Sequence, residues 1–147
     1  MAEPVWQFRP RVLPVIATGM AVSLVLVFGV VAVRLPESSQ RTFTIFQRAT
    51  LLAFFAVILW ILYRMATLKI TAYDDGLAVR NVFRSYRIEW RRISVLRFSS
   101  GDPWLQLFDA EGNRLGVLAI QAADGARASL AAKSLATVAK SHGAGAA

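Results

Sequence analysis

The chain has 147 residues, 56% of them hydrophobic and 18% charged, and 17 basic residues against nine acidic ones give a net charge of +8. Its mean hydropathy of +0.48 is above that of an ordinary water-soluble domain, which points to lipid. The lack of cysteine excludes disulfides, thiolate metal sites and cysteine nucleophiles. The charge alone is compatible with nucleic acid, anionic lipid or the cytoplasmic side of a membrane protein.

The first apolar run predicts a transmembrane helix. Residues 12–33 are 22 residues without a charge, and a helix of that length covers about 33 Å, enough for the hydrocarbon core. The run is longer than the apolar part of a cleaved signal, about 7 to 15 residues, so a membrane anchor is the preferred interpretation. Residues 1–11 are expected to form a cytoplasmic N-terminal segment, with Trp6 and Phe8 suited to the headgroup layer.

A second apolar run, Ala49 to Tyr63, has 15 residues and needs its flanks to cross a bilayer. Apolar residues continue on both sides and flanking arginine stems can snorkel, so a second transmembrane helix is predicted over 45–66. Residues 34–44 then form an extracytoplasmic loop. Three basic residues lie near the membrane on that side and five on the other, which favours a multi-pass plasma-membrane protein with both termini in the cytoplasm.

From residue 67 the pattern alternates with a period of two, as in a small antiparallel sheet. The predicted strands are Lys69–Tyr73, Leu77–Phe83, Tyr86–Trp90, Ile93–Phe98, Trp104–Phe108 and Arg114–Gln121. Asp74-Asp75-Gly76 is interpreted as a turn whose glycine accepts positive φ. Asp124 is expected to cap a C-terminal helix that reaches about Lys140, followed by a disordered tail over 141–147. The helix is expected to pack through a stripe formed by Leu130, Ser134, Leu135 and Val138.

The second and third predicted strands can be joined in two ways that leave the same residues on the same faces. A two-residue turn at Arg84-Ser85 sets Val79 opposite Trp90 and Arg80 opposite Glu89. That turn lacks the glycine or asparagine that such hairpins prefer, so a four-residue turn is an equal alternative. The outward face is expected to carry Arg80, Arg84, Arg87 and Arg91.

Three stretches carry a resemblance to a known family. They are Thr71-Ala72-Tyr73-Asp74-Asp75-Gly76-Leu77-Ala78-Val79-Arg80-Asn81, Arg87-Ile88-Glu89-Trp90-Arg91-Arg92-Ile93, and Leu107-Phe108-Asp109 before the terminal helix. Together they resemble the bacterial PH-like domains of small actinobacterial membrane proteins, including the group named for a low-molecular-weight protein antigen. The most specific elements are the Asp-Gly-Leu-x-Val-x-Asn hairpin with Gly76 and the pair Trp90 and Ile93, all of them structural.

The resemblance implies an α+β PH-like domain over 67–140, behind two transmembrane helices. Such a domain is a partly closed antiparallel barrel with a C-terminal helix at one end, and no enzyme activity is known for it. In eukaryotic PH domains that bind phosphoinositides, basic ligands cluster around the first hairpin loop. Here that loop is expected to be Asp74-Asp75-Gly76, which is acidic.

The sequence offers no reaction centre. It has no cysteine, one histidine near the C-terminus, and no motif for a metal, a phosphate loop or a nucleophile with its base, so a non-enzyme without cofactor or metal is predicted. The candidate contact residues for lipid or a partner are the arginines of one basic run, Arg80, Arg84, Arg87, Arg91, Arg92 and Arg97. An equally weighted interpretation is that these charges keep an exposed strand face soluble.

The predicted function is that of a membrane-anchored PH-like interaction module that binds protein partners and anionic membrane lipids. The alternative is a small accessory subunit held in a larger membrane complex through its two helices. Nucleic acid is disfavoured, because the basic run lacks an aromatic platform and the tether keeps the chain at the membrane.

Overall fold

A computed structural model of the chain describes residues 3–34 and 43–145. It contains two long helices, a small domain of two sheets and a C-terminal helix. The elements are β1 (Trp6–Phe8), α1 (Val12–Arg34), α2 (Ile45–Ala66), β2 (Lys69–Tyr73), β3 (Gly76–Arg80), β4 (Ser85–Glu89), β5 (Ile93–Arg97), β6 (Trp104–Asp109), β7 (Arg114–Gln121) and α3 (Ala126–Ser141). Most of the loop expected over 34–44 lies outside the described residues.

Both apolar runs form helices at the expected positions. By length and composition, α1 and α2 are each able to cross a membrane. They pack side by side, with the rings of Phe28 and Phe55 stacked at a centroid distance of 4.4 Å. At the start of α2, Thr44 and Gln47 form a capping box in which each side chain bonds the other residue's main-chain N–H. This cap explains why α2 begins at Ile45, upstream of the uncharged run.

The N-terminal segment forms a strand that the sequence analysis did not predict. Strand β1 pairs antiparallel with β2, with Trp6 opposite Ala72 and Phe8 opposite Ile70. The rings of Trp6 and Phe8 are half-buried and pack against the core of the domain, instead of standing free for a headgroup layer. The two long helices are therefore an insertion between the first and second strands of the domain.

The domain is built from two antiparallel sheets. One has the strand order β1-β2-β3-β4 and the other β5-β6-β7. Their inner faces and α3 enclose a core that includes Ile70, Leu77, Ile93, Leu105 and Leu135, all at most 2% exposed. Within the described residues no strand pairing joins the two sheets, so the expected α+β class is observed but the partly closed barrel is not confirmed.

The β3–β4 hairpin has the four-residue connection, and the two-residue alternative is wrong. Arg80 pairs with Ser85 and Leu77 with Ile88, so Arg80 does not face Glu89. Trp90 leaves the strand and begins a short 3-10 turn, Trp90–Arg92. Within β3 and β4 the inward and outward faces are as expected, because the two registers share the same parity. The predicted strand ended at Phe83, but Val82 and Phe83 lie in the loop, where Val82 is buried and Phe83 is exposed, the reverse of the faces expected for them.

Gly76 is required for a reason other than the one expected. The turn lies at Asp74-Asp75, while Gly76 is the first residue of β3 and does not have positive φ. A Cβ atom at Gly76 would collide with the main-chain oxygen of Ile88 on β4. The glycine therefore permits the close approach of two strands.

The C-terminal helix also differs from the expectation. Its N-cap is Gly125, not Asp124, and it packs through small residues on a neighbouring stripe. Leu130 is 64% exposed and Ser134 is exposed as well, so the stripe expected there is wrong at these two positions. The buried residues of α3 are Ala128, Ala131, Leu135 and Ala139. Alanine lets the helix axis lie close to the sheets, which a longer side chain would prevent.

The segment after α3 packs against the domain as far as residue 145, where a disordered tail was expected. The ring of His142 stacks on the indole of Trp90 at 5.4 Å. The main-chain N–H of Gly145 donates to the oxygen of Ile93 at 3.0 Å. Trp90 is 3% exposed and its Nε1 donates to Tyr73 O at 2.8 Å, and Ile93 is 2% exposed, so both side chains lie in the core of the domain.

Candidate functional site

The six candidate arginines do not form one surface. Arg80 and Arg84 lie at the end of the domain that adjoins the helices, because Arg80 pairs with Lys69, three residues after α2 ends. Three others are ion-paired on the surface, Arg87 with Asp75 at 2.8 Å, Arg92 with Glu111 at 3.6 Å and Arg97 with Asp102 at 3.5 Å. Arg91 is exposed in the 3-10 turn. The structure thus divides the basic run into separate places.

The domain is fastened to α2 through the loop between β3 and β4. Arg64 on α2 donates from its Nη2 to Asn81 O at 2.8 Å and from its Nε to Val82 O. Beside this contact, the ring of Phe83 lies 6.4 Å from that of Trp60 on α2. Phe83 is 71% exposed. The loop therefore presents an aromatic ring and Arg84 beside the last turns of α2.

The domain is also fastened to α1. Asp124, in the short turn before α3, accepts hydrogen bonds at its Oδ1 from the main-chain N–H groups of Arg11 and Val12, both at 3.1 Å. These are donors that the start of a helix leaves without a partner, and Pro14 in the same turn has no N–H to satisfy. Asp124 thus caps α1 from 112 residues away in sequence, rather than its own helix.

A basic cleft lies where the domain meets both helices. This helix-side cleft has a volume of about 360 Å³ and is lined by Arg9, Pro10, Pro14, Thr67, Lys69 and Arg80, among others. Its described lining includes no acidic side chain. The Nε of Arg80 is buried and has no hydrogen-bond partner among the described residues. An anion is the kind of group that would satisfy this guanidinium.

A second cleft lies between the two sheets, at the far end of the domain. This inter-sheet cleft has a volume of about 300 Å³. Its lining combines three arginines, Arg87, Arg92 and Arg114, with apolar side chains that include Ile88, Leu107 and Leu115. It is the place where the edges of β4 and β7 separate. Two of the six candidate arginines therefore share a cleft with Arg114, which the sequence analysis did not select.

Asp109 is the acidic residue in the described lining of the inter-sheet cleft. Its carboxylate accepts hydrogen bonds from the side chain of Asn113 at 2.9 Å and from the main-chain N–H groups of Glu111 and Asn113. The Asn113 side chain, and then these amides, hold the pKa of Asp109 below its ordinary value. Asp109 is therefore an ionised group that organises its own turn.

Asn81 joins the two sheets. Its side chain donates to Gly116 O at 2.7 Å and accepts from Leu118 N at 3.1 Å, both on β7. With 9% exposure it is one of the two buried polar residues of the described chain. The amide side chain bridges the edge of β7 to the β3–β4 loop where no strand does so.

The described residues contain no group of three or more histidines and carboxylates that could hold a metal ion. His142, the histidine of the chain, has its Nδ1 beside Val138 O at 2.9 Å and its ring on Trp90. Three polar side chains bond main-chain groups that join parts of the fold. Asp124 joins the domain to α1, Arg64 joins it to α2, and Asn81 joins the two sheets. Sequence reasoning missed them because their partners are distant in sequence, and a carboxylate before a helix is indistinguishable from an ordinary N-cap.

The fold and these contacts define the class of protein: a small PH-like domain of two sheets and a terminal helix, with a pair of apolar helices inserted after its first strand. Residues 67–136 match the family model described as Bacterial PH domain. The match to this part of the chain confirms the resemblance to bacterial PH-like domains that the hairpin and the tryptophan indicate. The match begins after α2, so β1 and the helices lie outside it. No curated protein and no solved structure matches the chain.

Proposed function

We propose that the chain is a membrane-anchored, non-enzymatic interaction module. Helices α1 and α2 would cross the plasma membrane and hold the PH-like domain against the cytoplasmic leaflet, where the domain binds protein partners and contacts anionic headgroups. One observation carries the proposal: β1, before the helices, pairs with β2, after them. The start of α1 and the end of α2 therefore lie on the same side, as they must if the chain crosses the membrane once in each direction.

The surfaces of the helices support membrane insertion. Ala17 and Leu62 are the buried residues of α1 and α2, and large apolar side chains face outward around both helices. In water each of these side chains would forgo about 1.5–3 kcal/mol of burial free energy. A helix that is apolar on all sides is stable in lipid and not at the surface of a soluble protein.

The charges near the helix ends support a cytoplasmic domain. Arg9, Arg64, Lys69, Arg80 and Arg84 all lie at the domain end of the helices. Basic residues close to membrane-spanning helices are retained on the cytoplasmic side. The same side carries the anionic lipids, whose surface attracts each nearby Lys or Arg by about 1 kcal/mol.

The helix-side cleft is the best candidate for the headgroup contact. It lies between the first turn of α1 and the end of α2, at the depth where lipid phosphates would be found. The exposed ring of Phe83 beside Trp60 suits the interfacial layer, where aromatic rings are favoured. By this proposal Arg80 and Arg84 contact lipid, whereas Arg87 and Arg92 line the inter-sheet cleft at the other end of the domain.

The lipid contact is tested with the full chain in nanodiscs of neutral or anionic lipid. We expect anionic lipid to slow hydrogen exchange of the 81–84 loop, and the effect to disappear at high salt or in the Arg80→Gln/Arg84→Gln variant. The Arg91→Gln/Arg92→Gln variant, in the turn after the far end of β4, is the matched control and should behave as the parent chain. Equal exchange in neutral and anionic lipid would refute headgroup contact and leave the anchoring role standing.

The partner-binding role is tested by extraction from native membranes in mild detergent. An interaction module should be recovered largely by itself, with partners that dissociate on dilution. Recovery in a fixed stoichiometry with other membrane subunits would instead support the alternative, an accessory subunit of a larger complex. In that case the exposed faces of α1 and α2 would be contacts with neighbouring helices.

A further inference from the structure

We propose that the inter-sheet cleft binds an extended, acidic segment of a partner protein, which adds as a strand to the free edge of β7. This inference rests on the proposed interaction function and names the kind of partner. It uses Arg87, Arg92 and Arg114, together with the main chain at the start of β7.

The free edge of β7 is the first argument. Strands β4 and β7 are the last strands of their sheets, so each has one edge that no other described strand covers. On β7, Asn81 bonds Gly116 O and Leu118 N in the way that a neighbouring strand would. Toward the start of β7 no side chain of residues 3–34 or 43–145 makes such bonds, and the inter-sheet cleft lies there.

The direction of the main-chain groups follows from these two bonds. In a strand the N–H and C=O groups of alternate residues point to the same side. Because Gly116 O and Leu118 N point to the free edge, the N–H of Gly116 and both main-chain groups of Arg114 point there as well. These three groups can pair with an extended segment, as in β-strand addition to other sheet edges.

The charge of the cleft selects an acidic occupant. Its described lining carries three arginines against Asp109, whose oxygens are occupied by its own turn. The acid partners of Arg87 and Arg92 lie on the surface, and both side chains of each pair are more than 60% exposed. Such exposed pairs contribute about 0 to 1 kcal/mol and exchange readily for another carboxylate.

The apolar lining selects an extended segment over a free anion. Ile88, Leu107 and Leu115 lie beside the arginines and belong to or pack against the core. In an added strand, side chains alternate between the two faces, so apolar residues can enter the cleft while acidic ones meet the arginines. The expected occupant therefore alternates apolar and acidic residues.

The location of the cleft favours a protein over the membrane surface. Strand β4 starts at Ser85, beside Arg80 and the helix-side cleft, and runs away from the helices. Arg92 follows its far end. A segment bound there would come from a partner in the aqueous phase.

The test is selection from a random peptide library displayed on phage, against the full chain in neutral-lipid nanodiscs. We expect the enriched peptides to alternate acidic and apolar residues, and a labelled synthetic copy to lose about tenfold or more in affinity for the Arg92→Glu/Arg114→Glu variant. The Arg91→Glu/Arg97→Glu variant is the matched control. It makes the same change in charge, again at one ion-paired arginine and one without an acid partner among the described residues, outside the cleft.

A main-chain readout separates strand addition from simple charge attraction. Bound peptide should slow hydrogen exchange at the amides of Arg114 and Gly116. Three results would overturn the inference: no enrichment of acidic sequences, an equal loss of affinity in both double variants, or unchanged exchange at these amides. Intrinsic tryptophan fluorescence shows that each variant is folded. If the helices insert as proposed and no acidic peptide binds, this inference fails alone; if peptide binds but the helices do not cross a membrane, the anchoring proposal fails.

Discussion

Removal of the Asp124 carboxylate should loosen the domain from α1. Asp124 satisfies two main-chain donors at the start of α1, at 3.1 Å each, and puts a negative charge at the positive end of the helix. Loss of a helix N-cap costs about 1 kcal/mol, and loss of a favourable charge at a helix end about 0.3–1 kcal/mol. We therefore expect Asp124→Ala to lower the free energy of unfolding of the domain by about 1.5 kcal/mol, and Asp124→Asn by roughly half of that, because one acceptor oxygen remains.

The assay is urea unfolding of the full chain in nanodiscs, followed by tryptophan fluorescence, since Trp6 and Trp90 both pack in the domain. Asp74→Ala is the matched control: Asp74 is an exposed carboxylate whose Oδ1 lies 3.7 Å from Nε2 of His142, so its loss should cost at most about 0.5 kcal/mol. Asp124→Ala should also speed hydrogen exchange in β1, which leads directly into α1. Equal stability of the two alanine variants would refute the capping role.

Three further outcomes follow from single contacts. Asn81→Ala removes two bonds to β7 and leaves partly buried main-chain groups without these partners, so we expect a loss of about 1–3 kcal/mol in the same urea assay, and an effect below that range would contradict the bridging role. Gly76→Ala forces a Cβ against β4 and should cost about 1–3 kcal/mol, whereas Gly19→Ala on α1, where a Cβ meets nothing, should leave domain stability unchanged. Asn113→Ala should raise the pKa of Asp109 toward its ordinary value, measured by NMR of its carboxyl carbon. Because folding lowers the pKa of Asp109, its contribution is present above about pH 4 and lost as the pH falls through the folded value, and an unchanged titration would contradict this.

Much of the fold could be predicted because it depends on local patterns. The apolar runs locate α1 and α2, and alternation locates Lys69–Tyr73 and Arg114–Gln121 to the residue. The β3–β4 register could be predicted only to its parity, because both turn lengths put the same side chains inside. Strand β1 was missed because three residues, Trp6–Phe8, are too few to show a period, and their partner strand follows both helices.

The candidate site could be predicted less well than the fold. The basic run contains Arg80 and Arg84, which lie beside the helices, and Arg87 and Arg92, which line the inter-sheet cleft. The sequence could not show that these arginines lie in two separate regions, because the hairpin carries residues that are close in sequence to opposite ends of the domain. Arg114 is far from the basic run in sequence and reaches the inter-sheet cleft only through the tertiary structure. Because β1 is the first strand, the first connection of the domain is the helical pair. Asp74-Asp75 joins the second and third strands instead. The expected comparison of this acidic loop with the first hairpin loop of eukaryotic PH domains therefore does not apply.

The most direct test of the account is the topology of the helices in intact cells. The chain has no cysteine, so Ser39→Cys, in the loop expected between the helices, and Ser100→Cys, between β5 and β6, each give a single labelling site. We expect a membrane-impermeant maleimide to label Ser39→Cys from outside and Ser100→Cys only after the membrane is opened. Labelling of Ser100→Cys in intact cells, or recovery of either variant from the cytosol without detergent, would contradict the claim that two membrane-crossing helices hold this domain at the inner leaflet.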